Sequence, residues 1–334
     1  MTGRIVLLVT SPRLPAGLLT AAAWDLVRAH PVRSAAPGPQ VDALRAAGVD
    51  VRIVEPDPDP VIDELRRMGT LVWLAGPGGG DDAFARRLGL RLAREPQVAE
   101  LELMYGSWDP PGARLLDAVE VMDRLVSPGG DPWKQQQSHR SLAPYLLEES
   151  YEAYDAIVEG DMDALREELG DVLLQVVLHA RLAADLPDGE RWTVDEVAGG
   201  LVEKMVRRNP HVFAGETVDG VDEIIANWER IKKAEKSRSS TTDGIALSQP
   251  ALSLAAKLLQ RVERAGLSVP LPGGDDLGGT LMRMVAEARA AGRDAEDELR
   301  STSLAYAEAV RAAERGAADL VDTRRATEDV SPGE

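Results

Sequence analysis

The sequence predicts a mixed fold: a small α/β domain over residues 1–105, then helical segments to the C-terminus. Three observations carry this reading. Ile5 to Val9 is an uninterrupted aliphatic run, the pattern of a strand covered on both faces. Beyond residue 105 the long elements read as helices. Ala, Leu, Arg, Glu and Asp dominate the composition, and aromatic residues make up 4% of it.

Taken in order, the strand at Ile5–Val9 is followed by a helical pattern over Ala16–Ala29. Val51–Val54 and Leu71–Leu74 are further short strands, each bounded by Gly, Pro or Asp. Ala75 to Asp82 (AGPGGGDD) follows a strand and precedes a helix, which suits either a phosphate-cradling loop or a plain connecting turn. Ala113–Val126 is an amphipathic helix, broken at Ser127–Pro132. Residues 106–236 hold the chemistry, 237–250 read as a polar linker, and 251–317 hold Ala-rich helices. A disordered tail is expected over 318–334.

The 334 residues carry 38 Lys and Arg against 56 Asp and Glu, a net charge of −18. That charge argues against a nucleic-acid binder, which needs a basic face. No cysteine is present, so disulfides, thiolate metal sites and Cys nucleophiles are excluded. No apolar run reaches the ~18 residues of a membrane helix. The first residues read as a strand rather than a signal peptide, so a cytoplasmic location is expected.

Residues 141–180 contain ten acids and one base, Arg166. Pro144 suits a first helical turn, with Ser141 as a cap candidate. The predicted helix Tyr145–Glu159 ends at Gly160, and a second starts near Asp161 and Asp163 and runs through Arg181. Together they make an antiparallel hairpin. Glu149 and Glu152, three apart, share a face, as Glu148 and Glu152 can at four apart. Glu168 and Asp171 pair likewise on the second helix. Asp171 lies in an otherwise apolar run, where an unpaired ionised carboxylate is costly. Converging carboxylates repel one another, and a hard divalent cation offsets both costs. All-oxygen ligands point to Mg²⁺, with Mn²⁺ as the alternative. A di-iron site is disfavoured, since no His has a Glu three residues before it.

Downstream the sign reverses. Lys204 and Arg208 are four apart and project together, and Trp228 and Lys232 share another face. Cations opposite a metal suit a polyphosphate substrate. Upstream, Trp133 is placed to stack on a base and Gln137 to read its edge.

The run from Asp131 to Lys232 resembles a MazG-type nucleoside triphosphate pyrophosphohydrolase domain. The matching residues are Pro132, Trp133 and Gln137, YLLEESYE (145–152), REELGDVLLQVVLHAR (166–181), EKMVRRNPHVFAG (203–215) and NWERIKKAEK (227–236). The resemblance covers about 100 of the 334 residues. It implies an all-α bundle, a homodimer with the active site near the subunit interface, and Mg²⁺-dependent cleavage of an NTP or dNTP between the α and β phosphates. Glu149, Glu152, Glu168 and Asp171 then map onto metal ligands, and Glu148 and Glu167 onto outer or water-activating positions. Lys204, Arg208 and Lys232 map onto phosphate contacts and Trp228 onto the substrate pocket. Lys134 stands where that family usually has Asp, which touches base recognition and not the metal site.

The first 105 residues resemble a degenerate tetrapyrrole-methylase-like domain. Thr10–Pro15 replaces the glycine motif expected after the first strand, so no methyltransferase activity is expected. Residues 299–317 align with 165–183, either as a decayed second MazG copy or as Ala-rich helices alike by chance. In that register Thr302 and Ala305 stand at the ligand positions, so a structural role is expected. Two rivals to the hydrolase are an acidic helical adaptor without activity and a hydrolase of another phosphoanhydride, such as an alarmone.

Overall fold

The computed structural model describes residues 3–76, 81–235, 239–274 and 276–328. The chain divides into two compact units, Met1–Lys204 and Met205–Glu334.

The first unit opens with a five-stranded parallel sheet: β1 (Gly3–Val9), β2 (Val32–Ser34), β3 (Val51–Ile53), β4 (Thr70–Leu74) and β5 (Ala99–Tyr105), in the order β3-β2-β4-β1-β5. Four helices alternate with the strands: α1 (Ala21–Ala29), α2 (Pro39–Ala46), α3 (Pro58–Met68) and α4 (Asp82–Arg94). Successive strand residues point to opposite faces. Val6, Leu8, Val72 and Leu74 pack under α1 and α2, while Ile5, Leu71 and Trp73 pack under α3 and α4. Trp73 stacks on Phe84 with ring centroids 3.9 Å apart and donates its indole N–H to Asp81 at 2.8 Å.

All three expected strands are present, and two more join them. β2 is three residues long and carries Arg33 in its centre, which hides it from a hydropathy reading. Arg33 is 1% exposed and bonds Glu64, through Nε at 3.0 Å and through Nη2, and the Val32 carbonyl at 2.7 Å. β5 alternates Glu and Leu. The expected helix over 16–29 begins only at Ala21. Gly17, with φ of +86°, lies in a conformation that a helix cannot include, and the Thr20 hydroxyl caps the Ala23 N–H at 3.3 Å. The stretch Thr10–Pro15 is anchored by Arg13, which bonds Asp117 at 2.7 and 2.8 Å and also Asp109. Half of the Gly-rich phosphate-loop candidate, residues 77–80, lies outside the described residues.

Helices follow. α5 (Arg114–Val126) leads through a short 3₁₀ turn (Lys134–Gln136) to α6 (His139–Glu159) and α7 (Met162–Ala184), and α8 (Val194–Arg208) contains the unit boundary. Met122 and Val126 of α5, Leu142 of α6, and Val177 and Leu178 of α7 form their shared core. α6 starts six residues before the expected Tyr145. Ser138 and Ser141 form a reciprocal cap at 3.2 and 2.9 Å, so Pro144 sits inside the helix rather than in its first turn. It has no N–H to give the carbonyl one turn earlier, which belongs to Arg140, an exposed residue.

Gly160 ends α6 with φ of +73°, as its position predicts, and Asp161 caps α7 by accepting from the Asp163 and Ala164 N–H groups at 3.0 Å. A Cβ at Gly160 would meet nothing within 4 Å, so any cost of adding one is conformational. Gly160→Ala is therefore expected to lower stability by about 1 kcal/mol in urea titration, with no change in hairpin geometry.

In the second unit, α9 (Pro210–Phe213), α10 (Val221–Ala234), α11 (Ala251–Arg264), α12 (Leu277–Ala290) and α13 (Ala295–Glu328) follow one another. α13 continues past residue 318, where a disordered tail is expected, as far as Glu328. Residues 329–334 lie outside the described residues.

Candidate active site

The α6–α7 hairpin gathers the acids. Carboxylate oxygens of Glu149 and Glu152 on α6 and Glu168 on α7 all lie within 4.8 Å of one another. Glu149 and Glu168 are half-buried and Glu152 is exposed. Burial, followed by the charges of Asp171 and Glu152, holds Glu149 above the usual carboxylate range. Burial, followed by Glu152 and Asp171, raises Glu168 in the same way. Such mutual repulsion suits oxygen ligands poised for a hard cation.

Asp171 stands outside that triad but near enough for its charge to act on two of its members. It is half-buried, not enclosed as the apolar run around it suggests. The reason is position along α7: its buried side begins at Gln175, where α5 and α6 close over it, and most of the first turns are exposed. Glu148 and Glu167 are exposed beside the triad, and their charges also raise Glu149 and Glu168 respectively.

The upstream aromatic is not core. Trp133 is 48% exposed, with its ring edge-on to Tyr145 at 5.8 Å and the Lys134 ammonium 5.6 Å from its centroid. Gln137 is committed elsewhere: its amide oxygen accepts from the Ser141 hydroxyl at 2.7 Å and its amide N–H donates to the Trp133 carbonyl at 2.8 Å. It thus braces the start of α6, and reading a base edge would require breaking that brace.

On the cationic side, Lys204 and Arg208 lie one turn apart on α8. In the second unit the Arg208 guanidinium sits 5.3 Å over Trp228 and bonds Glu235 at 2.5 Å, while Arg207 also bonds Glu235, at 2.8 Å. The two arginines hold the Glu235 carboxyl down to about 2. An incoming phosphate must therefore compete with Glu235 for Arg208. Lys232 is half-buried, and burial holds its ammonium below the usual lysine range.

One feature of the first unit has no counterpart in the sequence reading. The Nδ1 atoms of His139 and His179 are 2.7 Å apart, the rings stack with centroids at 5.0 Å, and Trp192 stacks on His139 at 6.2 Å. At least one ring must be neutral for that hydrogen bond. Burial first, then the His139 charge, lowers the His179 pKa. A histidine lowered in the folded state stabilises above its unfolded pKa of ~6.5 and loses that contribution as pH falls through the folded value. Melting temperature is therefore expected to drop between pH 7.5 and 5 more in the wild type than in His179→Gln.

Residues 137–213, which include the hairpin, Lys204 and Arg208, match the family model of the MazG nucleotide pyrophosphohydrolase domain. The chain is 48% identical over 241 residues to an uncharacterised 26.1 kDa protein of Streptomyces cacaoi, covering 72% of this chain and 97% of that one. It is 44% identical over 211 residues to the nucleoside triphosphate pyrophosphohydrolase of Mycolicibacterium smegmatis, covering 62% and 61%. It is 41% identical over 152 residues to the enzyme of the same description from Escherichia coli K12, covering 44% and 57%. The chain thus spans about three fifths of the length of these two named pyrophosphohydrolases. It belongs to the MazG family of nucleotide pyrophosphohydrolases. Among the described residues, no helix is long and apolar enough to cross a membrane.

Proposed function

We propose that the chain hydrolyses nucleoside triphosphates, ribo or deoxy and including non-standard ones, between the α and β phosphates. The products are the monophosphate and pyrophosphate, a reaction that clears the nucleotide pool. The observation that carries this is the triad of Glu149, Glu152 and Glu168, with oxygens within 4.8 Å, inside the segment that matches the family. Their all-oxygen chemistry fits Mg²⁺, or Mn²⁺ in its place, with Asp171 as the fourth ligand. When bound, the cation supplies charge neutralisation and polarises the phosphate oxygens.

The chain's own residues do the rest. Glu148 or Glu149 orients a water and takes its proton. The water oxygen bonds to the α or the β phosphorus and the bond from that phosphorus to the bridging oxygen breaks; pyrophosphate is the leaving group in the first case and the monophosphate in the second. Lys204, Arg208 and Lys232 hold the phosphates and offset the charge that develops on the leaving group. Trp133 and Trp228 offer faces to the nucleoside, and Gln137 reads the base edge once released from its brace. Exposed apolar residues along α6, among them Leu147, Tyr151, Ile157 and Val158, support a homodimer through the helical bundle.

Release of pyrophosphate from a panel of NTPs and dNTPs, with Mg²⁺ and with chelator, tests the proposal. Release that depends on Mg²⁺ is expected. No release from any nucleotide in the panel would sink the reading in favour of a modified nucleotide or other phosphoanhydride substrate, or of an adaptor.

A further inference from the structure

Among the described residues, positive charge outnumbers negative between α10 and α11. The two helices are tied by Glu229 and Arg264, paired at 2.9 Å. Lys232 lies one turn further along α10. Arg261 lies one turn back along α11, and Lys257 one turn before that. The ion pair therefore brings these three to the same seam, where the Glu229 carboxylate acts on the Lys232 ammonium and the charges of Arg261, Lys257 and Arg208 act against it. Lys232, Lys257 and Arg261 are each half-buried.

Among the described residues, none of the three forms an ion pair with a carboxylate. Glu229 is held by Arg264, and Glu235 by Arg207 and Arg208. The Lys257 ammonium donates to the neutral Gln260 amide at 2.9 Å. Gathering like charges in partial burial is unfavourable on two counts, lost hydration and mutual repulsion. In a chain of net charge −18 acids are plentiful, yet Glu229, the acid that acts on Lys232 here, is already held by Arg264. A multiply charged anion would reverse both costs with charge-assisted hydrogen bonds. The fork of Arg261 suits bidentate phosphate contact, and the two lysines act as point charges beside it.

We propose that Lys232, Lys257 and Arg261 form a site for a diphosphate group, so that α11 belongs to the binding machinery rather than serving only as a structural extension. The diphosphate is either free pyrophosphate or the terminal part of a nucleotide. The proposal rests on the assignment of Lys232 as a phosphate contact, and adds two residues from α11, to which the sequence assigns no chemistry.

The test is calorimetric titration of the full chain with inorganic pyrophosphate in chelator, for wild type and the double variant Lys257→Gln/Arg261→Gln. Pyrophosphate is expected to bind the wild type and to lose at least tenfold in affinity in the double variant. Melting curves check folding, and the charge-keeping pair Lys257→Arg/Arg261→Lys is expected to restore most of the affinity. Equal affinity in wild type and double variant, or no binding to the wild type, overturns the site. NTP turnover by the same proteins separates the two sources. A raised KM with kcat kept within a few fold assigns the site to the nucleotide, and an unchanged KM assigns it to free pyrophosphate. Pyrophosphate binding lost in the double variant, in a wild type that turns over no nucleotide, would uphold the site and refute the hydrolase.

Discussion

Glu168→Gln is expected to lower turnover of Mg²⁺-nucleotide by about a thousandfold and, at the same time, to raise the melting temperature of the metal-free protein. The two effects share one cause. Burial, then Glu152 and Asp171, push the Glu168 pKa upward. An acid raised in the folded state contributes stability below its unfolded pKa of ~4.3 and loses it as pH rises through the folded value. At pH 7 the ionised group therefore opposes folding, and the amide removes that opposition while keeping the shape. The gain should shrink as pH falls towards 4. Mg²⁺ should reverse the order, because it stabilises the wild type by binding the native state and the variant far less. Melting curves at pH 7 and pH 4, with Mg²⁺ and with chelator, check all of this. A metal-free Glu168→Gln less stable than wild type would show that the carboxylate serves the fold.

Leu178→Ala makes the opposite pattern. Leu178 is 1% exposed and packs with Met122, Val126, Leu142 and Val177, where α5, α6 and α7 meet. Removing it leaves a cavity in that core, at a cost of about 2–5 kcal/mol. Urea denaturation should register the loss directly. Activity at low temperature should persist in whatever fraction remains folded, because no group proposed to touch substrate is altered. The contrast separates residues that hold the hairpin together from residues that the hairpin exists to present.

The sequence made some of this architecture legible and left the rest hidden, for physical reasons. β1 and β4 were readable because a strand covered on both faces must be continuously apolar. β2 was not, because its central residue is an arginine whose charge is satisfied by Glu64, thirty-one positions away. The acids could be paired in advance because spacings of three within a helix and a glycine between helices are local facts. The depth of Asp171 could not, since it depends on where α5 comes to rest along α7. The start of α6 is hidden because Pro144 suits a first turn, whereas the cap is made by two serines rather than the more recognisable Ser and Glu. The partners of Arg208 were beyond reach as well. Glu235 and Trp228 come to it through packing, and Glu235 decides how free that arginine is.

The most direct test is to identify the products of one nucleoside triphosphate by phosphorus NMR. The incubations are wild type with Mg²⁺, wild type with chelator, and Glu168→Gln with Mg²⁺. The expected result is monophosphate and pyrophosphate in the first alone. Orthophosphate with a diphosphate nucleotide would move the cleaved bond. Equal turnover by Glu168→Gln would remove the carboxylate triad from the chemistry.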